Sequence, residues 1–140
     1  GILGPDSGLL IGVDLKKERD ILHAAYNDAQ GVTAAFNLNL LVRINRELGG
    51  DFDLDGFSHR ALYLAAEGRI EMHLVSGRDQ RVTIGGTAFE FAAGEHIHTE
   101  SSHKYTISEF RELCARAGYR PVASWTDPKD LFSVHYFTAE

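Results

Sequence analysis

Two hydrophobic periods divide the chain into elements. Residues 8–15, Gly-Leu-Leu-Ile-Gly-Val-Asp-Leu, form a continuous apolar run behind a Gly-Pro-Asp-Ser-Gly turn. Such a run predicts a strand buried on both faces, as in the parallel sheet of an α/β domain. Asp14 stands near its carboxyl end, either where α/β sheets place ligands or as a loop-stabilising acid. Over residues 18–29, Ile21, Leu22, Ala25 and Ala29 recur at helical spacing, and Gly31 breaks the helix. Tyr26, near its end, is a wedge between helices or a hydrogen-bonding group. Residues 32–49 predict the longest helix, with an apolar stripe from Thr33 to Leu48 and a Gly49-Gly50 stop. Asn37, Asn39 and Asn45 are unusual there, because Asn is a modest helix former. Asn37 lies nearest the stripe, as a buried network member or a ligand contact.

The period then changes to two. His59–Leu64, Arg69–Ser76, Gln80–Ile84 and Thr87–Phe91 alternate polar and apolar residues, and Gly77-Arg78-Asp79 and Gly85-Gly86 read as hairpin turns. The expectation is an antiparallel meander with residues 94–105 as its last strand. Met72 within it is core filler or one wall of a pocket. Residues 106–118 predict a helix, capped by Thr106 or Ser108 and ended by Gly118. Strands at 120–126 and 131–137, joined by Asp127-Pro128-Lys129-Asp130, close the chain.

Composition narrows the classes. At 140 residues with 44% hydrophobic content, the chain is one domain's worth of protein with an ordinary core. Net charge is -6, and the basic residues are scattered, which argues against nucleic acid. No apolar run approaches the roughly 18 residues needed to span a bilayer, and no signal peptide is visible, so a cytoplasmic location is expected. Cys114 is the single cysteine and lies on a predicted apolar helix face, so it reads as a buried, inert thiol. The opening Gly1-Ile2-Leu3-Gly4-Pro5 has no initiator methionine and runs straight into a turn and a strand. A piece of a longer protein is the expectation.

The densest polar chemistry is in residues 94–105, Gly-Glu-His-Ile-His-Thr-Glu-Ser-Ser-His-Lys-Tyr. Strand alternation places His96, His98, Glu100 and Ser102 on one face and Ile97, Thr99, Ser101 and His103 on the other. Glu100 and Ser102 would then grip a small ligand carrying NH groups. A metal reading needs a different spacing: in His-x-His metal domains the acid follows by several residues, and here Glu100 follows His98 by two. No metal site is therefore expected. Asp51, Asp53 and Asp55 imitate a calcium loop that lacks its closing bidentate Glu. No Gly-x-Ser-x-Gly elbow is present. What remains is a small-molecule pocket formed by the meander, its last strand and the helices around Tyr26 and Asn37. The carboxylate would bias the proton position of an imidazole or amine ligand.

Four runs carry a resemblance. Leu9-Leu10-Ile11-Gly12-Val13-Asp14-Leu15-Lys16-Lys17, Ala25-Tyr26-Asn27-Asp28, Gly31-Val32-Thr33-Ala34-Ala35-Phe36-Asn37 and His98-Thr99-Glu100-Ser101-Ser102-His103-Lys104-Tyr105 resemble the carboxyl-terminal half of the histidine N-alpha-methyltransferases of ergothioneine biosynthesis. The resemblance covers essentially the whole chain. It implies an α/β fold: the late strands and helix of a partial Rossmann-like methyltransferase sheet at 1–17 and 106–140, with an inserted α+β substrate-binding domain at 18–105. It implies methyl transfer from S-adenosylmethionine to the alpha-amino group of histidine, giving trimethylhistidine (hercynine). On matched motifs, Tyr26 falls where the family holds the substrate carboxylate, Glu100 and Ser102 where it grips the imidazole, and Met72 where a methionine lines that pocket. No catalytic side chain is implied. The family's glycine-rich cofactor loop and acidic ribose-binding residue have no match here. S-adenosylmethionine is thus expected in the full-length parent and not on this chain alone. Expected partners are histidine, the missing amino-terminal half, and a second copy joined across an exposed sheet edge. The competing class is a stand-alone small-molecule or metal-binding module without catalysis.

Overall fold

The computed structural model describes Gly4 and residues 7–139. In chain order the elements are β1 (Gly8–Asp14), α1 (Arg19–Tyr26), α2 (Val32–Leu48), a single 3-10 turn (Leu54–Gly56), β2 (Phe57–Leu64), β3 (Arg69–Ser76), β4 (Gln80–Ile84), β5 (Thr87–Phe91), β6 (His96–His103), α3 (Ile107–Arg116), β7 (Tyr119–Thr126) and β8 (Phe132–Ala139). This is an α/β chain with antiparallel strand pairing. Of the turn expected at residues 4–8, Pro5 and Asp6 lie outside the described residues, and Ser7 N donates to Gly4 O. The chain divides into two compact units, one made of the residues up to Glu18 together with those from His103, the other of Arg19–Ser102.

In the first unit the strand order is β1-β8-β7. Both pairings are antiparallel, so β1 and β7 run the same way with β8 reversed between them. The expected parallel sheet buried on both faces is corrected here. Helix α3 supplies apolar cover to one face only, where Val13, Phe110, Cys114 and Phe137 form the core. The other face leaves Leu10 68%, Trp125 55% and Phe132 45% exposed. Gly12 belongs to that open face, because a Cβ there would come within 2.7 Å of the Phe132 ring. Thr106 is the N-cap of α3: its hydroxyl accepts from Glu109 N, and the Glu109 carboxylate accepts from Thr106 N. Cys114 is buried as expected, and burial pushes its thiol up. Asp127 folds the β7–β8 turn by accepting from Lys129, Leu131 and Phe132 amides.

In the second unit β2, β3 and β6 form one sheet, and β4 and β5 form a separate hairpin. The single meander is thereby corrected: residues 94–105 pair with β3 and not with the strand before them. The pairing is visible in Ser76 N donating to Glu95 O, and in Thr99 Oγ1 donating to Met72 O. Gly77-Arg78-Asp79 consequently links two sheets and is not a hairpin turn. Gly85-Gly86 is one, with φ of 55° and 83°, the positive pair that a tight two-residue hairpin requires. Two cores form. Leu41, Phe52, Phe57, Leu74 and Val82 make one; Leu22, Ala61, Ile70 and Met72 make the other, with Tyr26 and Tyr63 packed against it.

Two of the three unusual asparagines of α2 do backbone work. Asn45 accepts from Phe52 N and donates to Phe52 O, both at 2.8 Å, and so folds the chain back after the helix. The acids that imitate a calcium loop are engaged in the same way: Asp51 accepts from Thr83 N, while Asp53 accepts from Asp55 N and pairs with Arg78.

Candidate functional site

The site grows from the turn after α1. The helix stops at Tyr26, earlier than the expected residue 29, because the next side chains are recruited elsewhere. Asn27 pairs with β2 like a short strand, accepting from Ala61 N at 3.1 Å and donating to Ala61 O at 3.2 Å. Asp28 accepts from Val32 N at 2.8 Å and Thr33 N at 2.9 Å, capping α2 in place of Gly31, which offers no side chain. These amides hold the Asp28 carboxyl down at about 2. Tyr26 is thus held at the head of two anchored residues, Asn27 and Asp28. Its hydroxyl donates to Ser102 Oγ at 2.9 Å, which makes it a hydrogen-bonding group as well as a packing one.

Asn37 sits one turn inside α2 and is 3% exposed. Its two amide hydrogens go to His73 O and to His59 Nδ1, each at 3.0 Å. That fixes the tautomer of His59: Nδ1 accepts, so Nε2 carries the proton and donates to Tyr26 O at 2.8 Å. A continuous chain therefore runs from β3 through Asn37 and His59 to the backbone of Tyr26. His59 was not singled out from sequence. Its strand position gives no signal of this role, which only the packing of α1 and α2 on β2 creates.

Around this chain lies a cleft of about 200 Å³, lined by Phe36, Asn37, Leu40, Met72, Thr99 and Glu100 among others. Met72 is 2% exposed and joins the cleft to the cluster against which Tyr26 packs. Of the five residues named from sequence, Asn37, Met72 and Glu100 line the cleft, and Tyr26 and Ser102 are bonded to each other beside Met72. A larger cleft, about 740 Å³, belongs to the other unit and is lined by Lys16, Tyr105, Ser108 and Arg111 among others. None of the five contributes to it, and its chemistry is that of scattered exposed polar groups.

The face assignment along β6 requires one correction. His98 Nε2 bonds to Glu100 O at 3.0 Å and to Ser101 Oγ at 3.1 Å, and its ring stacks on His73 with centroids 4.8 Å apart. Ser101 was expected on the opposite face from His98. Alternation is interrupted between His98 and Ser101, so Thr99 and Glu100, though adjacent, both line the cleft. The histidines and Glu100 are thereby separated: His96 and His98 lie over His73, and Glu100 lies with Met72.

Asp14, the other candidate, closes a buried ion pair in the first unit. Lys104 Nζ lies 2.7 Å from its Oδ2 and Lys17 Nζ 2.5 Å from its Oδ1. Burial of the Asp14 carboxyl opposes its charge, but the two ammonium groups outweigh that and lower it below the usual range. The loop-stabilising reading is the one this geometry supports.

The family model for SAM-dependent, histidine-specific methyltransferases matches residues 1–139. The chain belongs to that methyltransferase family. It is 46% identical over 134 residues to a histidine N-alpha-methyltransferase of Mycolicibacterium smegmatis, covering 94% of this chain and 42% of the relative. It is 44% identical over 136 residues to the protein of that name in Mycobacterium tuberculosis, covering 96% and 42%. It is 30% identical over 140 residues to ergothioneine biosynthesis protein 1 of Neurospora crassa, covering 89% and 14%. The chain thus spans well under half the length of these relatives.

Proposed function

We propose that this chain supplies the histidine-holding part of an S-adenosylmethionine-dependent histidine N-alpha-methyltransferase that makes hercynine in ergothioneine biosynthesis. The observation that carries the reading is the convergence of Asn37, Met72 and Glu100 on one cleft, beside the bonded pair Tyr26 and Ser102. Glu100 and Ser102 accept the two imidazole N–H groups or fix the tautomer that offers one. The Tyr26 hydroxyl turns to the substrate carboxylate, and Met72 packs on the ring. Asn37 acts on the ligand through His59 and the Tyr26 carbonyl as well as from the cleft wall.

S-adenosylmethionine supplies an electrophilic methyl group on sulfonium. The chain's own contribution is to orient the alpha-amine and to strip water from it, since a protonated amine has no lone pair to give. The connection from β1 to α1, Leu15-Lys16-Lys17-Glu18, holds no glycine, and among the described residues no glycine-rich loop joins a strand to a helix. These residues do not fit the methyl donor, so no step through it is assigned to them.

The inserted-domain reading follows from the same proposal. Arg19–Ser102 is the substrate-binding domain, and the β1-β8-β7 unit is the late part of a Rossmann-like sheet. Its reversed strand between two like-directed ones is the kind of antiparallel strand that doubly wound sheets often carry near an edge. No helix among the described residues is long and apolar enough to cross a membrane, and a cytoplasmic enzyme is the reading adopted. Its partners are histidine and the amino-terminal remainder of the parent.

The test is mass spectrometry on the full-length protein incubated with S-adenosylmethionine and a panel of free amino acids. The expected result is gain of one, two and three methyl groups on histidine. Glu100→Ala is expected to raise the histidine KM by about 10–100-fold, the worth of a hydrogen bond to a charged group. Gain on a different amino acid alone, or an unaltered Glu100→Ala, refutes the assignment of this pocket.

A further inference from the structure

On the other side of β3 from Met72 lies a second cluster. Glu71 and His73 of β3 and His98 of β6 each offer one metal-ligating atom, and these atoms all lie within 4.8 Å of one another. We propose that Glu71, His73 and His98 form a transition-metal site of the zinc class, distinct from the histidine cleft. The donor set is two imidazoles and one carboxylate, which suits Zn²⁺ and its neighbours in the series and not Mg²⁺ or Ca²⁺.

The surroundings are those of a ligand set. One Glu71 oxygen, Oε1, takes both Arg69 Nε at 2.8 Å and Arg69 Nη2 at 2.6 Å. The other, Oε2, points to His73 Nε2 at 3.1 Å. His73 is 8% exposed, and its Nδ1 is buried with no hydrogen-bond partner among the described residues. Ligation beside Glu71 would use Nε2, the nitrogen its carboxylate faces, and the ring would then carry its proton on Nδ1. His98 gives its Nε2 proton to Glu100 O, which leaves Nδ1 as its lone-pair nitrogen. A carbonyl fixing the tautomer of a histidine from behind is the usual outer partner of a metal ligand.

Ligands about 2.0–2.2 Å from Zn²⁺ are closer together than this cluster is now, so His98, the exposed member, must swing inward. The fourth position is left to water or to His96, whose ring centroid is 5.2 Å from that of His73.

The site was missed from sequence because His96-x-His98 was paired with Glu100. The sheet instead pairs it with Glu71-x-His73, a partner some two dozen residues upstream that only the β3–β6 register supplies. A metal there clamps β3 to β6 behind the wall that carries Met72 and Glu100.

The experiment is calorimetric titration of the tag-free, chelator-stripped chain with Zn²⁺, with thermal unfolding followed in parallel. One tight equivalent and a raised Tm are expected, with Mg²⁺ producing neither. His98→Ala, an exposed substitution that leaves the fold intact, is expected to weaken Zn²⁺ about 10–100-fold or more, and His103→Ala on the same strand to leave it unchanged. Glu71→Gln serves as the second ligand variant. Absence of Zn²⁺ binding, or binding unaltered in both His98→Ala and Glu71→Gln, overturns the proposal. The readout is metal occupancy and not methyl transfer, so its failure is separate from failure of the histidine reading.

Discussion

Asn37 shows how one residue joins stability to the site. Its two donors serve a strand carbonyl and a histidine ring that in turn holds Tyr26 O. Asn37→Ala leaves the His73 carbonyl and His59 Nδ1 without these partners in a buried place. The expected cost is about 2–3 kcal/mol, two buried hydrogen bonds at ordinary worth. It is read as a lower urea midpoint with unchanged slope. The sequence marked Asn37 because Asn is out of place in the middle of a helix beside an apolar stripe. It did not mark His59, whose surroundings come from three elements distant in sequence. Alternation put His98, Glu100 and Ser102 on one face; the fold sets Glu100 in the cleft with Met72, bonds Ser102 to Tyr26 and stacks His98 on His73. That separation was not legible, because an interruption in a strand depends on its partner and leaves no mark in the residue pattern.

Among the elements, α2 depends on an acid four residues outside it. Asp28 accepts from the first amides of the helix, and its carboxyl drops from 3.8 to about 2. A carboxyl lower in the folded chain than in the unfolded one stabilises the fold above the unfolded value. That contribution is present above pH 3.8 and is lost as pH falls toward about 2. Asp28→Ala is therefore expected to lower Tm at neutral pH, with the gap from the unaltered chain closing on acidification through that window. A constant gap across the range would mean that the charge has no part in the cap. The bounds of α2, one of the two caps offered for α3 and the Gly85-Gly86 hairpin were readable from local residues, since each is fixed within a few positions of the chain. The pairing of β6 with β3 was not, because the β4–β5 hairpin between them folds on itself. In the first unit the ion pair of Asp14 with Lys104 plays a similar organising part. Lys104 is 2% exposed, so Asp14→Asn removes a charge partner from a buried ammonium. The expected loss is about 3 kcal/mol in thermal or urea unfolding at neutral pH. A loss within the noise of measurement would place the pair's worth elsewhere in the network.

At the scale of the whole molecule, the apolar run of residues 8–15 shows where pattern and structure diverge. Its composition is that of a strand covered on both faces, yet α3 provides the only apolar cover found for it among the described residues. Leu10, Trp125 and Phe132 remain on an open face of the β1-β8-β7 unit. Along Gly8–Val13, β1 pairs with β8 alone among the described residues; Tyr105 N donates to Asp14 O at the end of the other edge, and the rest of that edge is left for a further strand. The proposed occupant in the parent is the amino-terminal remainder, since the chain covers 42% of its bacterial relatives. In its absence, an open edge beside an apolar face favours pairing with a second copy. The isolated chain is thus expected to sediment as a dimer at moderate concentration and to transfer no methyl group. Trp125→Glu, on the open face and outside the core, is expected to return it to a monomer while leaving the Tm nearly unchanged. A monomeric mass for the unaltered chain would show that this face tolerates water as it is, and the run of apolar residues in β1 would then need a reason other than a missing partner.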